Sequence, residues 1–350
     1  MRVVVIGATG NVGTSVMEAL AGEPEVQEIV AVARRAPHHS YPKASFVGAD
    51  IARSDLVPIL RGADAVVHLA WLIQPGRDES TTYGVNVTGS ERVYAATVQA
   101  GVPALIYASS VGAYSPGPKD RMVDETWPTD GIKTSFYSRH KAANERLLDR
   151  LEHEHPDLRV VRLRPGLIFK REAATEIRRL FAGPFLPGSL VRPELIPIVP
   201  DLPRLRFQAV HSLDVGDAYR RAVVNGAARG AYNIAAEPVI DPQVLGQTFG
   251  ARPVRLPVPL VRGAAAATFA LRLQPTEPGW LDMGLGVPIM DTTRARHELG
   301  WEPTRTGVQA LEDLLAGFRA GADFDTPPLA GATTGPARLR ELVTGVGARQ

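Results

Sequence analysis

Tyr137 and Lys141 stand four residues apart in the run Tyr137-Ser-Arg-His-Lys141, and on a helix that spacing sets both on one face. A free phenol has a pKa of about 10 and is a poor acid–base group near neutrality. A nearby ammonium favours the phenolate and draws that pKa toward the working range. The same pair on a solvated helix face would do no chemistry, so its meaning depends on what the chain brings beside it. Ser110, in Ala108-Ser-Ser-Val-Gly-Ala-Tyr114, offers a second hydroxyl just after a short apolar run. Serine there also suits a cap or a turn. Open α/β sheets receive ligands outside the carboxyl ends of their strands, and Ser110 is expected at such an end, where with Tyr137 it would hydrogen-bond a substrate oxygen. No Gly-x-Ser-x-Gly elbow occurs, which argues against a nucleophilic serine.

The elements that must hold these groups begin at the amino terminus. Arg2-Val-Val-Val-Ile6 is a β-branched run that breaks into Gly7-Ala-Thr-Gly-Asn-Val-Gly13, and Thr14 to Leu20 then reads as helix. A strand, a tight glycine turn and a helix leave backbone N–H groups facing outward at a helix N-terminus, which suits a pyrophosphate. A Cβ in the turn would hold the phosphates off the backbone or block close helix–strand packing. Further strands are expected at Glu28–Ala33, Ser45–Gly48, Ala65–Leu69, Ala104–Ala108 and Arg159–Leu163, with helices over 55–61, 78–100 and 135–153 between them. Continuous apolar strands alternating with helices predict a parallel sheet covered on both faces.

The rhythm breaks where prolines become frequent, from Arg171 to Arg206 and again from Pro238 to Trp301. The expected organisation is a dinucleotide-binding domain over 1–170, with 207–235 returning to it. A substrate-binding lobe would be built from 171–206 and 236–320, and 321–350 would form a loosely held tail. Asp214 is expected to cap a helix running to about Val224, and Val308 to Phe318 to form an amphipathic helix.

Over 350 residues, 39 Lys plus Arg nearly cancel 37 Asp plus Glu, so no global field draws the chain to nucleic acid or to an acidic membrane. There are no cysteines, which excludes disulfides, thiolate catalysis and cysteine-ligated metals. His153 and His155 do not share a helix face, and His38 and His39 sit in a loop without a carboxylate partner in sequence, so no metal is expected. The apolar stretch Gly263 to Leu271 lies between Arg262 and Arg272 and is too short to span a bilayer. A soluble, cytoplasmic protein is expected.

In this order the glycine turn, Asp50-Ile51, His68-Leu-Ala70, Asn86, Ser109-Ser110, Tyr137-x-x-x-Lys141, Arg164-Pro-Gly166, Val210-His211 with Asp214, and Leu299-Gly-Trp-Glu-Pro303 resemble an extended short-chain dehydrogenase/reductase, of the NAD-dependent epimerase/dehydratase family, from residue 2 to about 320. The resemblance implies an α/β fold: a Rossmann-type doubly wound parallel sheet with a smaller C-terminal substrate-binding lobe. It implies that Tyr137 is the acid–base, that Lys141 lowers its pKa and bonds the nicotinamide ribose, and that Ser110 orients the substrate oxygen. Gly7, Thr9, Gly10, Asn11, Val12 and Gly13 would cradle the phosphates. Asp50 and Ile51 would flank the adenine, Leu69, Ala70 and Trp71 would line the middle of the cofactor, and Pro165 and Gly166 would complete its shell. Asn86 is open to two readings, cofactor contact or a capping and backbone-bonding role. Homodimers are common in the family, and no sequence feature here decides an oligomeric state.

The chain departs from the family's pattern where it matters for ligands. NAD enzymes of this fold place an acidic residue after the second strand, where this chain has Ala33-Arg34-Arg35; arginines suit a 2′-phosphate, so NADP(H) is expected over NAD(H). Nucleotide-sugar members commonly show Arg-x-x-Asn where Leu163-Arg-Pro-Gly166 stands. They also carry an arginine four residues before the histidine matching His211, and here that residue is Phe207, with Arg206 one place off. Trp71 adds bulk where alanine is common. The leading expectation is hydride transfer between NADP(H) and a carbonyl or alcohol carbon of a small molecule. The alternatives are a nucleotide-sugar epimerase or dehydratase, and a non-catalytic NADP-sensing protein that keeps the fold.

Overall fold

The computed structural model describes residues 1–37, 39–74, 76–182, 197–326 and 328–329. His38, the lobe segment 183–196 and the tail 330–350, all included in the expectations above, lie outside the described residues. The strands in chain order are β1 Arg2–Ile6, β2 Glu28–Ala33, β3 Ala44–Gly48, β4 Ala65–His68, β5 Ala104–Ala108, β6 Met122–Val123, β7 Arg159–Pro165, β8 Leu167–Phe169, β9 Ile198–Asp201, β10 Phe207–His211, β11 Gly230–Ile234, β12 Ala236–Ile240, β13 Arg252–Arg255 and β14 Ile289–Met290. The helices are α1 Asn11–Ala21, α2 Val57–Leu60, α3 Glu79–Tyr83, α4 Ser90–Gln99, α5 Phe136–Glu154, α6 Ala174–Ala182, α7 Ser212–Val224, α8 Pro242–Phe249, α9 Val258–Ala270, α10 Gly279–Gly286, α11 Thr293–Leu299 and α12 Gly307–Ala320.

Seven strands form one parallel sheet in the order β11-β7-β5-β4-β1-β2-β3, the doubly wound arrangement that the alternation predicts. Its apolar residues feed two cores. Val3 and Val5 face a layer with Val16, Leu20, Val215 and Tyr219, while Val4 and Ile6 face one with Leu60, Val93 and Leu148. Each fully buried valine or isoleucine contributes about 1.5–3 kcal/mol, which is why these strands are apolar on both faces rather than alternating.

Three expectations are corrected. The strand at 207–211 does not enter the large sheet; β11 and α7 do return to the Rossmann body, but β10 pairs with β8 and β12 in a separate three-stranded sheet. The long helix expected over 78–100 is interrupted by a π-helical turn at Gly84–Gly89, between α3 and α4. Asp214 does not cap α7: the His211 ring accepts from the Leu213 N–H, while the Asp214 carboxylate accepts from Thr304 and Arg305 and ties the 301–305 segment to the helix. Proximity in sequence suggested the cap, but a partner about 90 residues away holds the carboxylate.

The tail also departs from expectation where it is described. Thr326 Oγ1 donates to the Thr9 carbonyl in the glycine turn, and Leu329 is fully buried. Among the described residues no helix is long and apolar enough to cross a membrane.

Candidate active site

The glycine turn sits where β1 meets α1. Gly7 has φ +91°, and a Cβ there would meet the Ala70 backbone nitrogen at 2.7 Å. At Gly13 a Cβ would strike the Gly7 carbonyl at 2.2 Å. These two glycines let β1, β4 and α1 converge, whereas a Cβ at Gly10 would find its nearest neighbour at 3.7 Å, so that glycine leaves room outward. Gly10 is the N-cap of α1 and supplies no capping side chain, and the first turn holds no acidic residue. The positive end of the helix is thus left for an anion. Asn11 Oδ1 is buried beside it with no partner, an acceptor waiting for a donor. Val12 packs against the core and Thr9 is buried. This uncapped turn, with its open Gly10 face and orphaned acceptor, fits the pyrophosphate and ribose of a dinucleotide.

Lys170 was not anticipated. Buried at the end of β8, it donates Nζ to the Asn11 carbonyl, Thr14 Oγ1 and Ser15 Oγ, and burial pulls its pKa down to about 8. Its only sequence signal is a lysine closing the apolar run 167–169. Arg34 and Arg35 follow β2 and are exposed at the surface. Asp50 turns its carboxylate onto the Ala52 N–H, and Ile51 is buried against the π-helical turn. Leu69 extends β4 by donating its N–H to Ile6, and Ala70 lies against Gly7.

Asn86 is fully buried and shows the backbone-bonding role. Its Oδ1 accepts from the Leu72 N–H at 2.7 Å and its Nδ2 donates to the Leu72 carbonyl at 2.8 Å, which pins the segment just after Trp71. Pro165 is buried in β7 opposite Ile234. A Cβ on Gly166 would meet the Gln208 carbonyl at 2.5 Å, so this glycine lets β8 cross to β10. The described contacts of Pro165 and Gly166 are therefore those of strand packing.

Ser110, Tyr137 and Lys141 do come together beyond the carboxyl end of β5. Ser110 accepts from the Gly112 N–H and shares a hydrogen bond with Tyr137. Lys141 is buried on the first half of α5 and donates Nζ to the Ala108 carbonyl at 2.6 Å. The indole of Trp71 lies over that ammonium, 3.5 Å from ring centroid to Nζ, and its Nε1–H is buried without a partner. Burial holds the lysine well below its ordinary pKa.

The expected lowering of the Tyr137 pKa is not what the protein alone produces. Burial pushes the phenol up to about 12, and the hydrogen bond from Ser110 only partly offsets this. Lys141 Nζ lies 5.8 Å from the phenol's ring centroid. Desolvation outweighs a cation at that range.

The lobe contributes residues that sequence reasoning missed. Trp280 stacks obliquely on Tyr137 at 5.0 Å, Trp71 meets it edge-on at 5.6 Å, and Phe181 meets Trp280 edge-on at 5.0 Å. Met283 Sδ lies beside Gly112 and helps to enclose the same ring. Nothing in their spacing pointed to them; only aromatics in a proline-rich stretch hinted at a role.

One helical turn beyond Lys141, Glu145 is wholly buried and accepts from Arg164 through both carboxylate oxygens, from Arg162 and from Ser109. Three arginines in the strand Arg159-Val-Val-Arg-Leu-Arg164 were the readable sign that a buried anion had to exist nearby.

Three comparisons bear on this arrangement. The chain is similar to an uncharacterized protein of Mycobacterium tuberculosis, 28% identical over 342 residues, covering 90% of this chain and 83% of the relative. It is similar over a shorter span to L-arabinose 1-dehydrogenase (NAD(P)+) of Haloferax volcanii, 34% identical over 110 residues, covering 31% of this chain and 41% of that enzyme. In fold it is similar to a UDP-glucose-4-epimerase from Stenotrophomonas maltophila solved with bound NAD and a formylated UDP-arabinopyranose. That likeness has a TM-score of 0.68 at 22% identity, covering 92% of this chain and 98% of the epimerase chain. The sequence model of the NAD dependent epimerase/dehydratase family matches residues 3–235. With the glycine turn, the Ser–Tyr–Lys group and the parallel sheet all inside that span, the chain belongs to the NAD dependent epimerase/dehydratase family.

Proposed function

We propose that this protein is a cytoplasmic NADP(H)-dependent oxidoreductase that interconverts a carbonyl and an alcohol on a small molecule. The observation that carries the reading is the meeting of Ser110, Tyr137 and Lys141 at the sheet's carboxyl edge, in a family of nicotinamide enzymes. The backbone of 7–13 would hold the pyrophosphate, Lys141 the nicotinamide ribose, and Arg34 with Arg35 a 2′-phosphate. When bound, the nicotinamide supplies or accepts hydride.

What the chain's own groups do follows from their protonation. Tyr137, with its pKa pushed up to about 12, is a neutral phenol at pH 7 and so is set to give its proton to a carbonyl oxygen. Ser110 would hydrogen-bond the same oxygen, and the aromatic wall would keep water from competing. Reduction then runs with the protonated form across neutral pH. The reverse reaction needs the phenolate, so its rate rises as pH climbs into the alkaline range.

The second reading, a nucleotide-sugar epimerase or dehydratase, is favoured by the Stenotrophomonas enzyme's ligands. The two separate on stoichiometry. Purified protein with NADPH and a panel of carbonyl compounds should consume the cofactor in step with product. Catalytic cofactor use with a converted nucleotide sugar would establish the second reading instead. Tight cofactor binding without any turnover would leave a sensor.

A further inference from the structure

Resting on that proposed chemistry, we infer a substrate class: an uncharged, flat, apolar ketone or its alcohol, of the aryl or fused-ring kind, held against the aromatic wall around Tyr137. Trp280, Phe181 and Trp71 carry that wall, and each ring is only half-buried. Behind them Ile132, Met283 and Val287 form a small apolar cluster on which Tyr137 and Trp280 pack. Aromatic rings left partly exposed beside the proposed reacting hydroxyl gain from a ligand that covers them with another flat ring.

The wall is held in place from three segments. Gln74 Nε2 donates to the Leu180 and Pro275 carbonyls, and Thr276 Oγ1 donates to the Phe181 carbonyl. The end of α6, the 274–280 segment and the strand end carrying Trp71 are thereby tied together. Such a surface is built before the substrate arrives, which lowers the cost of ordering on binding.

A buried diphosphate needs cations with donors to spare. Among the described residues around the lobe, Arg262 makes a two-point pair with Asp282, and Arg204 donates to the Leu285 and Gly117 carbonyls. Arg206 donates to the Lys119 carbonyl while its Nε stays buried without a partner, and Lys119 donates to the Arg206 and Gly284 carbonyls. These cations lace the lobe to the 117–119 loop. Lys141 touches Trp71 from within the site, and its Nζ donates to the Ala108 carbonyl.

The experiment titrates the full chain, with NADPH present, against tetralone, acetone and UDP-glucose, reading tryptophan fluorescence and NADPH consumption separately. Tetralone is expected to quench the fluorescence and to be reduced with a kcat/KM at least about tenfold above that of acetone, while UDP-glucose does neither. Trp280→Ala should raise the KM for tetralone about tenfold or more and change that for acetone less than about threefold, and Trp280→Phe should restore most of the loss. Binding and conversion of UDP-glucose in preference to tetralone would overturn the inference, as would an unchanged tetralone KM in Trp280→Ala. Saturable quenching by tetralone that Trp280→Ala removes, with no NADPH consumed for any ketone, would uphold the substrate class and defeat the proposed hydride transfer.

Discussion

Lys141 and Glu145 lie one turn apart on α5, both buried, and they are treated in opposite ways. Glu145 is saturated: burial alone would raise its pKa, but Arg164, Arg162 and Ser109 bring it down to about 2. Lys141 has no carboxylate within ion-pair distance among the described residues; it rests on one carbonyl oxygen and the face of Trp71, and burial drives its pKa down. A charge whose every lone pair is met is part of the scaffold. One left short of partners is poised to take another, and that other would be a ribose or a substrate oxygen. The comparison separates, on one face of α5, a buried charge that holds the sheet together from one that the proposed chemistry would use.

The largest expected effect lies on the saturated side. Glu145→Ala would leave Arg162 and Arg164 buried without their anion, and breaking such a pair costs about 3–5 kcal/mol. Denaturant unfolding should show it, and a variant as stable as wild type would dissolve the distinction. The pH dependence has a definite sign. The folded-state pKa is depressed, so the stabilisation is complete above the ordinary carboxylate value of about 4.3 and is lost as pH falls toward about 2. Thermal melts across that interval should trace the loss.

On the unsaturated side Tyr137→Phe removes a proton donor and little packing. Turnover should fall about 100-fold or more while cofactor titrations stay near wild type; wild-type turnover would take Tyr137 out of the chemistry. The solvent-facing arginines give a third, intermediate case. If Arg34 meets a 2′-phosphate, Arg34→Asp should cost about ten- to a hundredfold in NADPH affinity while sparing NADH. Equal wild-type affinities for the two cofactors, at low and high salt, would assign the cofactor as NAD.

The smallest effect, and the one of opposite sign, is on stability in Lys141→Met. The lysine's folded-state pKa is depressed, so between that value and about 10.4 the unfolded chain binds more protons and stability climbs with pH. Burying this amine carries a desolvation cost that methionine does not, so methionine should raise Tm by roughly 2 °C while weakening cofactor binding and shifting the activity profile. A lower Tm, with the pH profile unmoved, would make Lys141 a scaffold residue like its neighbour.

Much of this was legible beforehand where the cause is local. The strands of the large sheet are continuous apolar runs, Gly7 and Gly13 announce a turn in which a Cβ cannot fit, and a four-residue spacing sets Tyr137 and Lys141 on one face of α5. Asn86 could not be decided, because its partner Leu72 is fourteen residues upstream and is brought alongside only by the fold. The cap assigned to Asp214 failed for the same reason, since Thr304 outbid the nearby helix for its carboxylate.

The chain's residue types and short spacings by themselves determined the fold class, the glycine turn, and which hydroxyls and cation gather at the sheet's edge. Only the tertiary structure decided how those groups behave. It set Trp71 over the ammonium, brought Trp280 and Phe181 from distant stretches onto the phenol, raised the Tyr137 pKa where a lowering was expected, and sent β10 away from the large sheet. The physical reason is that helix periodicity and turn sterics act over a few residues, whereas desolvation and ion pairing depend on whatever the whole chain packs against a group.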